Sequence, residues 1–460
     1  MTRPRFIRRW GPVPAVLTAL VLGLSACGGG GASSWRATIG SSSSAAVTDT
    51  AQTQVISPDF PRTATYVLDQ DKLPTLDTLA RYDIVVVDAE WQNRLPRSFF
   101  ADLRSRHPGI ILLAYVNLVD KMPRTGSRGY WQNAYTLWQF SNSTTSRFPR
   151  QWLSYTASGK PVHEWPGHVM TNLTDQAPRV NGQTYAEYAA NFVVDQIWDT
   201  GLWDGVFLDV WAERIYTADA AAWDIDGDGK DEPADEIMGP GGPLDRGLSS
   251  AERIMRSRMG NAILIANGDR TLSEQRLNGR VFESFADPLA DRSIDDDLTA
   301  YVAAQTSSQL HQPIVGMTID SVRGPVGSRY ARARLFLTLT LLQNGWWAPM
   351  GADYGQVRYY DELDGGGLGR GYLGKPIVAD PDMAALSART STGTGSPREG
   401  VYRRDFDHGI VLVNTTDEPV SIDLERPYRH LKGTQDPVVN NGRSVQRVAI
   451  GARDGVVLVR

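Results

Sequence analysis

Trp203-Asp-Gly-Val-Phe-Leu-Asp-Val-Trp211 reads as a buried strand that carries one carboxylate to its end. Side chains alternate along an extended chain, so Val206, Leu208 and Val210 share one face, and Phe207, Asp209 and Trp211 share the other. Both faces are apolar except at Asp209, as in a parallel sheet covered on both sides. An ionised group at the C-terminal end of such a strand has to meet solvent, a ligand or a charge partner. Asp209 is either a capping or ion-pairing aspartate or the first residue of a site, and the surrounding strands decide which.

Short β-rich runs alternate with helical patterns on both sides of this stretch. Thr65–Asp69 precedes a helix over Leu73–Tyr82, and Ile84–Asp88 precedes one over Pro96–His107. Ile110–Asn117 leads into a long aromatic insertion from Asp120 to about Val180, then an amphipathic helix over Thr184–Thr200. A second insertion, Ala212–Leu248, ends at a helix that Ser249 and Glu252 would start as a capping box. Ala262–Asn267, Arg280–Phe285, Pro313–Asp320 and Gly345–Met350 complete eight strands, with helices from Ser293 through Tyr301 and over Arg329–Gln343. The fold class is α/β, a (β/α)8 TIM barrel with insertions. An open doubly wound sheet competes, but the glycine-rich first turn usual there is missing after Asp69. From Gly400 short alternating strands without helices make a small antiparallel β domain, which offers Tyr402 and Tyr428 but no tryptophan as a sugar platform.

In such a barrel the reactive groups stand at the C-terminal strand ends. Those ends carry Asp69, Asp88, Glu90, Asn117, Asp209, Asn267, Glu283 and Asp320, and a rim this rich in carboxylates suits acetal hydrolysis. That chemistry needs one acid to protonate the leaving oxygen and one carboxylate facing the developing oxocarbenium ion. Asp209 and Glu283, two strands apart, are the best pair, with Val281 and Phe285 expected beside Glu283 to raise its pKa. Asp69, Asp88, Glu90, Asn117, Asn267 and Asp320 are then expected to bind sugar hydroxyls, and Trp91, Tyr115, Trp211 and Trp347 to face sugar rings. Trp131, Trp138, Trp152 and Trp165 add aromatic surface in the first insertion, although any one tryptophan at a barrel mouth is equally a core residue.

Asp224-Ile-Asp-Gly-Asp-Gly-Lys-Asp-Glu232 places Asp and Gly as a calcium loop does, which proposes Asp224, Asp226, Asp228, the Lys230 carbonyl, Glu232 and Asp235 as ligands of a structural calcium. The alternative is a solvated acidic loop. His163-Glu-Trp-Pro-Gly-His168 has the wrong spacing and too much Pro-Gly for a zinc helix and reads as a loop. Gly365-Gly-Gly-Leu-Gly-Arg-Gly371 follows no clear strand and reads as a loop at the rim. No cofactor is expected for the chemistry.

The N-terminus has four arginines up to Arg9, an apolar run over Val13–Leu24 and then Leu24-Ser-Ala-Cys27, a lipoprotein-like signal with Cys27, the single cysteine, as the lipidated residue. The expected organisation is a signal over 1–27, a Gly/Ser/Ala/Thr tether over 28–58, the barrel over 59–395 and the β domain over 396–460. A net charge of −5 without a basic stripe argues against nucleic acid as a partner.

Four segments, Tyr115-Val-Asn117, Trp203–Asp209, Val281-Phe-Glu-Ser-Phe285 and Arg404–Asn414, resemble the hypothetical glycosyl hydrolase family 15, and more distantly endo-α-1,4-polygalactosaminidases and α-galactosidase-like barrels. The resemblance implies a strand-four nucleophile at Asp209 and a strand-six acid/base at Glu283, where α-galactosidase-like barrels have aspartate. The resulting expectation is a membrane-anchored, periplasmic or cell-surface glycoside hydrolase acting on an extracellular polysaccharide or oligosaccharide. Its rival is a non-catalytic lipoprotein that binds glycan in the same cleft.

Overall fold

The computed structural model describes residues 56–69, 72–121, 148–285, 292–321, 326–350, 354–388 and 398–460. Cys27, the tether up to residue 55, Trp131 and Trp138 lie outside the described residues.

Eight parallel strands follow one another in chain order: β1 (Ala64–Val67), β2 (Ile84–Asp88), β3 (Ile111–Asn117), β4 (Gly205–Asp209), β5 (Ile263–Asn267), β6 (Gly279–Glu283), β7 (Met317–Ser321) and β8 (Trp346–Met350). A parallel bridge from Thr63 to Trp347 joins the two edges, so the sheet nearly closes into the expected barrel. The strand period separates two cores. Tyr66, Ile84, Val86, Leu113, Phe207, Ile265, Val281 and Ile319 fill the barrel interior, while Val85, Val87, Leu112, Val206, Leu208 and Leu264 face the surrounding helices.

Helices among the described residues include α1 (Leu76–Leu79), α2 (Arg97–Arg106), α3 (Tyr185–Phe192), α4 (Pro243–Met259), α5 (Ile294–Gln305) and α6 (Val326–Leu341). Thr184 starts α3 with a capping box, its side chain taking the Glu187 N–H while the Glu187 carboxylate takes its own. The helix expected to begin at Ser249 begins six residues earlier, at Pro243, where a missing N–H costs nothing. Ser249 and Glu252 therefore lie inside α4, and Glu252 is fully buried. Gly247 lets α4 touch the first insertion, since a Cβ there would lie 1.8 Å from the Leu173 carbonyl oxygen. Between β5 and β6 there is no helix, and residues 268–278 form an irregular connection.

The C-terminal strands β9 (Val401–Phe406), β10 (Gly409–Asn414), β11 (Val420–His430), β12 (Ser444–Ile450) and β13 (Asp454–Val459) form an antiparallel sheet in the order β9-β10-β13-β11-β12. Alternation again gives it two apolar faces. Val411, Val413 and Val457 join the barrel's outer core, and Ile410, Leu412, Val456 and Leu458 build a separate one. Tyr402 and Tyr428 are buried in these layers and offer no sugar platform. The glycine-rich segment is not at the rim. Its Arg370 reaches His107, ahead of β3 at the opposite end of the barrel, and its Gly366 packs on the Lys432 carbonyl of the C-terminal unit.

Candidate active site

The inward face of β4 ends at Asp209 and that of β6 at Glu283, with Asn267 on the intervening β5. The Asn267 side chain joins them. Its Nδ2 donates to Asp209 Oδ1 at 2.8 Å and to Glu283 Oε2 at 3.1 Å. On the other side, Tyr115 of β3 donates its hydroxyl to Asp209 Oδ2. Burial pushes the Asp209 carboxyl up to about 6, the Tyr115 bond opposes this, and the Glu283 charge adds to the rise. Burial and the nearby Asp209 charge raise the Tyr115 phenol well above its ordinary value, so it stays a proton donor to Asp209.

Each of these three polar strand ends is followed by a residue in the left-handed region: Val210 at φ 51°, Gly268 at φ 144° and Ser284 at φ 56°. Left-handed backbone in a β-branched residue such as Val210 is strained, and such strain persists where surrounding structure enforces it. The turn breaks the strand alternation and corrects two expectations. Trp211 does not share the Asp209 face but swings into the outer core, fully buried, where its Nε1 donates to Glu252 Oε1 at 2.9 Å. Phe285 likewise leaves Glu283, stacking edge-on with Tyr301 at 5.1 Å. Glu283 is consequently exposed rather than set among apolar neighbours.

The remaining expected site residues divide. Asn117 pairs in register with Asp209 and its Nδ2 donates to Asp120 Oδ2 at 3.3 Å. Asp88 lies on the inward face of β2, but both it and Glu90 are buried, which corrects their expected contact with sugar hydroxyls, and Asp88 Oδ1 accepts the Glu90 N–H at 2.8 Å. Asp69 follows β1 and pairs with Lys72 at 3.4 Å. Burial and strand parity correct three more expectations. Asp320 sits on the outer face of β7, 3.4 Å from Arg332 of α6. Trp347 is fully buried on the outer face of β8, stacked on Tyr360 at 5.5 Å. Trp91 is buried against Phe99. None of these four side chains, Trp211 included, has a surface for a sugar.

Three features were missed. Tyr66 on the inward face of β1 packs 5.3 Å from Phe207 and 5.7 Å from Tyr115, forming the aromatic floor beneath Asp209. Its signal was the period-two pattern Ala64, Tyr66, Leu68. Asp120 shares a hydrogen bond with Glu164 across the first insertion, and burial together with that second carboxyl pushes it well above the usual carboxylate range. Arg270, fully buried just after β5, binds Glu252 at 2.7 Å, Glu213 at 2.7 Å and Asp245 at 2.5 Å, tying the loops behind β4 and β5 to α4.

In the acidic loop, Asp224, Asp226 and Asp228 bring carboxylate oxygens within 4.8 Å of one another, a donor set that fits a hard cation. Asp235 does not join them, because it is drawn 2.9 Å from Arg214. Glu232 Oε2 accepts the Ile225 N–H at 3.0 Å, and Lys230 Nζ pairs with Asp228 at 2.7 Å.

A family model described as hypothetical glycosyl hydrolase family 15 matches residues 104–410. Among solved structures, the chain is similar to the glycoside hydrolase domain of PelA from Pseudomonas aeruginosa, at 13% identity and a TM-score of 0.36, over 63% of this chain and 95% of that one. It is also similar to a family GH13_31 enzyme, at 10% identity and a TM-score of 0.45 over 87% and 99% of the two chains, and to an Anoxybacillus alpha-amylase, at 12% and 0.42 over 84% and 88%. No curated protein matches.

Proposed function

The chain belongs to the hypothetical glycosyl hydrolase family 15 and is a glycoside hydrolase, and from that premise we propose that Asp209 and Glu283 cleave the glycosidic bonds of an extracellular polysaccharide. The observation that carries this reading is the Asn267 amide, which touches both carboxylates at once. Two hydrogen bonds to one nitrogen hold the two oxygens less than about 6 Å apart, nearer the roughly 5 Å of retaining enzymes than the 6.5–9.5 Å of inverting ones.

Glu283, exposed at the mouth, gives its proton to the leaving glycosidic oxygen as the bond to the anomeric carbon breaks. Asp209, oriented by Tyr115 and Asn267, attacks that carbon and forms a glycosyl ester. Glu283, now ionised, takes a proton from water, and the hydroxide oxygen displaces Asp209. Tyr66 and Phe207 close the floor below. Release of reducing ends from a panel of polysaccharides, with the anomer of the first product read by proton NMR, tests this. Retention is expected, and an inverted first product would refute Asp209 as nucleophile.

Two further parts of the reading concern location and metal. The Leu24-Ser-Ala-Cys27 signal supports a lipid anchor on Cys27 and residence at a bacterial membrane, in the periplasm or at the cell surface. The convergence of Asp224, Asp226 and Asp228 supports a structural calcium that braces the insertion following β4.

A further inference from the structure

Among the described residues, Trp165 and Tyr216 are the aromatic side chains left most open, 45% and 77% exposed. They come from different insertions, yet their loops are fastened together. Thr217 Oγ1 donates to Glu164 Oε1 at 2.8 Å. Asp219 accepts the His163 N–H at 2.8 Å, meets its ring Nδ1 at 3.1 Å, and returns its own N–H to the His163 carbonyl at 3.0 Å. Each ring thus directly adjoins a residue of the Glu164–Thr217 bond.

The same bond leads back to the carboxylates. Glu164 shares a hydrogen bond with Asp120, Asp120 takes one from Asn117, and Asn117 stands in register with Asp209. Loops fastened in this way keep the two rings at the surface. A partner with a flat apolar face and a hydroxylated edge would cover the rings and use the polar groups between them. A pyranose has that shape. On the reading that the chain cleaves a polysaccharide, we infer that Trp165 and Tyr216 form a distal sugar-binding subsite, continuous with the carboxylate site, that holds a pyranose of the same substrate chain beyond the bond that is cut.

The test uses the full chain carrying Glu283→Gln, run through native gels cast with each member of a set of soluble neutral and charged polysaccharides. Retardation by at least one polysaccharide is expected, with the apparent Kd rising at least tenfold when Trp165→Ala and Tyr216→Ala are added. Equal retardation with and without the two substitutions overturns the subsite, and so does failure of every polysaccharide to retard the Glu283→Gln chain. A second pair, Trp165→Leu with Tyr216→Leu, keeps apolar bulk without a flat ring and is expected to lose retardation as well. Melting temperature separates loss of fold from loss of binding. Reducing-end release by the unsubstituted chain from the same polysaccharides is read in parallel. Release with unchanged retardation sinks the subsite alone, whereas ring-dependent retardation without release sinks the hydrolytic reading alone.

Discussion

Asp209 owes its chemistry to three neighbours that pull in different directions. Burial and the Glu283 charge favour its protonated form, while the Tyr115 hydroxyl and the Asn267 amide favour the carboxylate. A nucleophile must be ionised, so kcat/KM should fall as pH drops through about 6. Asn267→Ala removes a donor to the charged form, which leaves the folded carboxyl holding its proton to higher pH. The acid limb of the kcat/KM profile should therefore move upward, with turnover lower at every pH, and an acid limb that stayed in place would refute the bridging role. The positions of Asp209 and Glu283 were legible in the sequence because each ends a short strand on its inward parity. The left-handed turns after them were not. Val210 is β-branched, the kind of residue least expected at positive φ, and Ser284 gives no turn signal of its own, so the alternation was carried past the strand ends to Trp211 and Phe285.

At the scale of elements, the irregular connection between β5 and β6 does what a barrel helix does elsewhere, through charge instead of apolar surface. Arg270 has no exposed side-chain surface and is surrounded by Glu213, Asp245 and Glu252, the last also bound by Arg276 at 2.8 Å. Arg270→Met would strand buried carboxylates and should cost about 3–5 kcal/mol in urea unfolding, and a loss below about 1 kcal/mol would contradict the network. This cluster was hidden because the Ser249–Glu252 spacing imitates a capping box. The Glu serves Arg270, Arg276 and Trp211 inside α4, and only the three-dimensional return of the loop reveals it. The acidic loop was legible from its Asp spacing, whereas the diversion of Asp235 to Arg214 depends on a neighbouring loop. If calcium binds Asp224, Asp226 and Asp228, saturating calcium should raise the melting temperature by about 2–5 °C, and Asp224→Ala should abolish that rise. Identical melting in calcium and in chelator would refute the site.

Across the whole molecule, the C-terminal sheet is bound to the barrel by both packing and charge. Buried Arg334 of α6 meets Asp454 at 2.8 Å and Asp436 at 2.5 Å, and Gly455 leaves room for Thr338, to which a Cβ would come within 2.0 Å. The eight-strand order was readable because parallel strands buried on both faces make apolar runs that stand out between helices. What the tryptophans do was less readable, since a ring at a strand end looks the same whether it faces the mouth or the helices. Trp91, Trp211 and Trp347 support the barrel wall, and in the proposed mechanism hydrolysis rests instead on the Asp209 and Glu283 carboxylates that β4 and β6 deliver. The direct test of that claim is reducing-end release from the polysaccharide panel by the unsubstituted chain beside Asp209→Asn and Glu283→Gln. Turnover should fall by about 10²- to 10⁴-fold in each variant while the fold is kept, and variants as active as the unsubstituted chain would contradict the carboxylate pair.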